Sequence, residues 1–159
     1  MQKDFESYLQ YIDANRSRLP ETVYEFASDV ERYDLMSPHS LHDAWLSSLT
    51  VKENRRAEKS LEPNTSIELV LLGPMHDREI VLKYTGVKSY RIEGKQNPYN
   101  WADTFHGDIS GHQVSVGDSG EVVHEIEYVS GAVIVITCND FCFSENQCAH
   151  NNLKFSEVR

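Results

Sequence analysis

The feature that most constrains the fold is a change of hydrophobic period at Ser37-Pro38-His39-Ser40. Before this turn-forming cluster, apolar residues recur with the 3.6-residue period of a helix; beyond it they alternate with the two-residue period of a strand. Phe5, Tyr8, Leu9 and Ile12 fall at i, i+3, i+4 and i+7, and Val23, Phe26, Ala27 and Val30 repeat that spacing. Residues 1–36 therefore predict a helical hairpin, each helix with one apolar stripe. Asp4 suits the cap of the first helix and Pro20 the first turn of the second.

Residues 41–51, 67–71, 80–84, 87–92, 112–116, 122–129 and 132–143 read as strands, joined by turns such as Gly117-Asp118-Ser119-Gly120 and Ser130-Gly131. With no helix between them, residues 37–146 predict an antiparallel β-sandwich or open barrel of six or seven strands. The whole is α+β, with the helical hairpin packed on the sheet and residues 147–159 as a polar tail. A chain of 159 residues buries about 70% of its extended surface on folding, enough for a core without disulfide or metal staples.

Charge narrows the function. There are 15 Lys and Arg against 25 Asp and Glu, a net charge of −10. That balance argues against a nucleic-acid partner, whose phosphates need clustered cations. The distribution is uneven: no Lys or Arg occurs between Lys95 and Lys154, while Asp103, Asp108, Asp118, Glu121, Glu125, Glu127, Asp140 and Glu145 all lie there. An acidic C-terminal face that attracts a basic protein partner is the expectation, with Trp101 and Phe105 beside it as aromatic anchors. No stretch near 18 apolar residues is present, so no membrane partner is expected. Without a basic, apolar leader the chain reads as cytoplasmic.

Several side chains invite a chemical reading. If 41–51 is a regular strand, Asp43 of Leu41-His42-Asp43-Ala44-Trp45 shares the inward face with Leu41 and Trp45. By the same parity His124 lies with Val122 and Ile126, and Asp140 with Ile134, Ile136 and Cys138. If those strands are neighbours, Asp43, His124 and Asp140, with His42 adjacent, could hold a metal or run acid–base chemistry. The alternative for His124 is a hydrogen-bonded core histidine, and for Asp43 a carboxylate pinning a strand end. Cys138, Cys142, Cys148 and His150 do not form a zinc pattern, since i and i+4 on one strand stand about 13 Å apart. The cysteines read as buried thiols that act as small apolar side chains in a reducing compartment, and no cofactor is called for.

The order of LHDAW at 41–45, HDREIVLKYTGV at 76–87, VVHEIEY at 122–128 and VIVITCNDF at 133–141 resembles small uncharacterised bacterial β-rich proteins with an LHD-type motif. Some of these resemble the immunity proteins of polymorphic toxin systems. The resemblance spans residues 41–143, carries over no catalytic residue, and implies a non-enzymatic interaction module whose basic partner is a toxin. The alternative is a metal-dependent hydrolase or small-ligand binder using Asp43, His124 and Asp140. A third reading, self-association through a sheet edge, predicts a homodimer.

Overall fold

A computed structural model describes residues 4–54, 64–99 and 104–148. The apolar stripes form two helices, α1 over Phe5–Ala14 and α2 over Glu21–Ser28; the second ends short of its last predicted stripe residue, Val30, which falls in a 3-10 turn and is exposed. The Asp4 carboxylate caps α1, accepting from the Ser7 N–H at 2.8 Å, while Pro20 stands at the N-cap of α2, just ahead of the first turn. Ile12, Val23, Phe26 and Ala27 are fully buried, so the two stripes converge on one core. A short 3-10 turn, Val30–Arg32, leads out of the helices.

Eight strands follow among the described residues: β1 Trp45–Glu53, β2 Thr65–Leu72, β3 Arg78–Thr85, β4 Ser89–Glu93, β5 Ile109–Val116, β6 Val122–Tyr128, β7 Val133–Cys138 and β8 Asp140–Gln147. They form two four-stranded sheets, in the orders β1-β2-β3-β8 and β4-β7-β6-β5. Every pairing is antiparallel. Leu69, Leu71, Leu82 and Tyr84 of the first sheet join Val114, Ile126 and Ile136 of the second, and the helical residues, in one hydrophobic cluster. Phe26 of α2 is the wedge: its ring lies 5.3 Å from Phe141 on β8 and 5.7 Å from both His112 on β5 and His124 on β6.

The eighth strand arises because residues 132–143 are two strands rather than one. At Asn139 the chain leaves the second sheet and enters the first. It meets there the other crossing, from β3 to β4, where Gly86 adopts φ 59°. The Asn139 N–H donates to the carbonyls of Thr85 and Gly86 at 3.2 and 3.1 Å, and a Cβ on Gly86 would strike the Asn139 side chain. Only glycine fits both the left-handed backbone and that close approach. The corner also resets the side-chain phase: Ile134, Ile136 and Cys138 are buried, and then Phe141.

The helices cover two of the four edge strands, β5 and β8. On β5 the Val114 N–H donates to the Tyr8 hydroxyl and the Val116 N–H to the Tyr11 hydroxyl, both at 2.9 Å. On β8 the Thr22 hydroxyl donates to the Phe141 carbonyl at 3.0 Å. Two edges that would otherwise invite another strand are thus occupied by side chains of the same chain. Tyr8→Phe should lower stability by about 1–2 kcal/mol, because the Val114 N–H loses its acceptor in a half-buried place. The shift in urea midpoint at unchanged slope measures it. No helix among the described residues is long and apolar enough to cross a membrane.

Candidate interaction site

The inward polar residues form a chain of hydrogen bonds, not a ligand cluster. Tyr84 and His124 are buried. The Tyr84 hydroxyl lies 2.7 Å from His124 Nδ1, His124 Nε2 lies 3.1 Å from His112 Nδ1, and His112 Nε2 lies 2.9 Å from the Arg32 carbonyl. A carbonyl only accepts, so the proton positions follow in order. His112 Nε2–H donates to it, leaving His112 Nδ1 to accept from His124 Nε2–H and His124 Nδ1 to accept from the Tyr84 hydroxyl. Every ring nitrogen is satisfied with both imidazoles neutral. Burial, with the Arg32 and His42 charges adding to it, pushes His112 down to about 4, against the weaker pull of the Arg32 carbonyl. Burial also holds His124 well below the ordinary histidine value. His124 is therefore the hydrogen-bonded core histidine that its parity allowed, and its partner His112 shares the inward parity of Val114.

Asp43 and Asp140 do not join it. Asp43 precedes β1 in a left-handed turn at φ 69°, and its side chain is 49% exposed, so the regular strand that would turn it inward is absent. Its backbone N–H instead donates to the Ile109 carbonyl at 2.9 Å, with Ile109 N–H returning to Ala44. A bulge between Leu46 and Ser48 shifts the phase again, placing Leu49 and Val51 opposite the buried Leu69 and Ile67 but Trp45 opposite Leu72, so Trp45 does not share their face. His42 Nδ1 stands 3.1 Å from Asp43 Oδ1 but is not aligned as a hydrogen bond. Asp140 follows the Asn139 corner, so its carboxylate faces out, sharing the single Thr22 hydroxyl proton with the Phe141 carbonyl, each at 3.0 Å. Among the described residues no three His, Cys, Asp or Glu are placed to hold a metal. Cys138 is a buried thiol, pushed up to about 12 by that burial, whereas Cys142, beyond the Asn139 corner, is exposed.

The acids of the later strands divide. Glu145 is neutralised: Arg32 Nη1 donates to it at 2.8 Å and Arg78 Nη1 at 3.1 Å, and Arg32 is almost fully buried. His39 Nδ1 approaches the same carboxylate at 2.8 Å. Asp108 accepts from the Trp45 indole at 2.6 Å, and Glu121 lines a shallow depression with Lys88. Asp118 is exposed in the turn between β5 and β6. Phe105 is exposed, while Trp101 and Asp103 fall outside the described residues.

Glu125 and Glu127 occupy a different setting. On β6 they face away from His124 and Ile126, and across the strand pair they oppose Gln113 and Gly111 of β5. Beyond β5 stands α1, so an open groove of about 1070 Å³ runs between them. One wall is aromatic: Phe5, Tyr8, Tyr11 and Tyr33, with Asp4 at its end. The other carries Glu125 and Glu127, and β5 makes the floor. The aromatic wall is held rigidly. Tyr33 OH donates to the Ala27 carbonyl at 2.8 Å, so the 3.0 Å contact between the two phenols has Tyr8 as donor. Tyr33 stacks on His112 with centroids 4.5 Å apart and planes at 2°. Burial raises both hydroxyls above the ordinary tyrosine value, so these groups stay uncharged.

The chain matches no protein-family model, no curated protein and no solved structure. What the groove can do follows from its walls. Fixed aromatic rings opposite carboxylates offer apolar contact and negative charge together, the environment that a cationic group on an apolar stem requires.

Proposed function

We propose that this chain is a non-enzymatic interaction module of the immunity type, working in a reducing cytoplasm, which captures a basic protein partner on the acidic face where β6 and β5 lie beside α1. One observation carries the reading. Asp4, Glu125 and Glu127 line the same groove, and among the described residues none of the three pairs with a lysine or arginine. The two Ser7 hydrogen bonds hold the Asp4 carboxyl below the usual carboxylate range, keeping it anionic. Carboxylates that line one groove sum their fields and speed the encounter with a cationic surface, an effect that physiological salt screens over about 8 Å. The two sheets, taken as an open sandwich wedged by Phe26, supply the rigid platform on which such a face keeps its shape. The thiols of Cys138 and Cys142, which form no disulfide among the described residues, fit the reducing compartment.

The test uses the protein encoded by the adjacent gene as the probe. Its association rate constant with this chain should fall by about tenfold or more between roughly 0.05 and 0.5 M salt. Glu125→Lys with Glu127→Lys should slow association at low salt and leave the thermal midpoint within a few degrees, since both sites are on the outer face. A rate that does not respond to salt or to the double substitution overturns the reading.

A further inference from the structure

The partner's chemistry can be narrowed. Resting on the reading above, we propose that the groove is a socket for a single arginine side chain presented by a loop of the partner, entering over Gly111 to meet Glu127. Gly111 stands directly opposite Glu127 in the β5–β6 register. A Cβ built on Gly111 would have no heavy atom within 4 Å. The bulge between Ile109 and Gly111 and the missing side chain therefore open a gap in the floor beside an exposed carboxylate. The opposite wall is Phe5, 40% exposed, backed by the locked Tyr8 and Tyr33 rings.

The geometry selects the occupant by exclusion. An added β-strand cannot dock along this stretch of β5, because the Tyr8 and Tyr11 hydroxyls already accept from Val114 and Val116. An anion would face Asp4, Glu125 and Glu127. An apolar side chain would fill the aromatic wall but strip water from the carboxylates without replacing it. A guanidinium on its three-carbon stem satisfies both walls. The stem lies against the rings, the planar head can stack on an aromatic edge or face, and its paired N–H groups donate to the Glu127 carboxylate. Glu125 is partly engaged already, accepting from Gln113 at 3.2 Å, which leaves Glu127 as the primary counter-ion. A lysine offers a point charge without the planar fork and should bind more weakly.

The probe is a capped Gly-Arg-Gly tripeptide, with the citrulline analogue, which keeps the shape and loses the charge, as its control. In a heteronuclear NMR titration of the full chain at millimolar peptide, the arginine probe should shift the amides of Gly111, Gln113 and Glu127 and the ring signals of Phe5 and Tyr8. The citrulline probe should bind at least about tenfold more weakly, as expected when a charge-assisted pair is lost. Gly111→Leu, whose Cβ meets no heavy atom within 4 Å, should remove the shifts, and Glu127→Gln, an exposed substitution, should weaken them by a similar factor. Equal binding of the two peptides, shifts confined to Asp118 and Glu121, or retention of binding in both variants would each overturn the socket. If the socket fails while the Glu125→Lys/Glu127→Lys chain still loses its salt-dependent association, the acidic-face reading stands alone. If the peptide binds as described but association with the partner is independent of salt, the socket stands and that reading falls.

Discussion

Glu145→Ala should destabilise the fold by about 3 kcal/mol, at the lower end of the cost of breaking a buried ion pair, and lower the thermal midpoint by roughly 6–12 °C. The carboxylate is 20% exposed and receives Arg32, only 6% exposed, at 2.8 Å and Arg78 at 3.1 Å. The two arginines do not suffer equally. Arg78 keeps a two-bond contact with Asp77, from Nε and Nη2 at 3.0 Å each. Arg32 is left with Asp29 at 3.5 Å, the His39 carbonyl at 3.2 Å and the Phe143 ring 4.3 Å away. Most of the loss is therefore one guanidinium held out of water without its counter-charge. Changing both members, Arg32→Met with Glu145→Leu, should recover most of the stability, because an apolar pair of similar volume escapes that desolvation cost. A loss below about 1 kcal/mol for Glu145→Ala would place the pair with ordinary surface salt bridges.

That ion pair marks where sequence reasoning ends. Periodicity found both helices, since Ile12, Val23, Phe26 and Ala27 lie on the predicted stripes and are buried, and it found seven strand segments. It misplaced Asp43 and Asp140 for one shared reason. Parity carries from residue to residue only along an unbroken strand, and a left-handed turn at Asp43 and a corner at Asn139 each reset the count. His112 was legible, since its parity with Val114 points inward as that of His124 does. Gly111 also left a signal, being a lone glycine in a strand pattern, where a bulge or an open approach is common. The contacts of Arg32 with Glu145 and of Tyr8 with Val114 join residues more than a hundred positions apart. A stripe position such as Tyr8 announces burial of its ring but not the strand edge that its hydroxyl will cap. The same limit hid the groove. Glu125 and Glu127 were visible in the charge count, while the aromatic wall comes from the first helix and Tyr33, at the other end of the chain.

Acidification should unfold the protein over a window set by the histidine chain. In the unfolded chain His112 and His124 titrate near 6.5; in the fold His112 is pushed down to about 4 and His124 is held well below 6.5, both chiefly by burial. The unfolded state thus binds more protons below pH 6.5, and stability must fall as pH falls through that value. For His112 the loss accumulates until about pH 4 and reaches up to about 3 kcal/mol, at roughly 1.4 kcal/mol per pH unit. His124 adds a second proton to the slope. Protonating His112 in place is opposed by geometry as well as by burial: a proton added to its Nδ1 would point at the Nε2–H of His124 across 3.1 Å. Glu145 acts in a separate, lower window. Its carboxyl is lowered from 4.5 by its His39, Arg78 and Arg32 hydrogen bonds, against the opposing effect of burial, so its contribution is intact above 4.5 and fades only below it. Urea-unfolding free energies measured from pH 7.5 to 5 should decline with a slope approaching two protons. The ring signals of His112 and His124 should keep the Nε2–H tautomer without titrating in the folded state. A stability that stays level down to pH 5, or a folded-state titration of either ring near 6.5, would show that the two imidazoles are not locked neutral between Tyr84 and the Arg32 carbonyl.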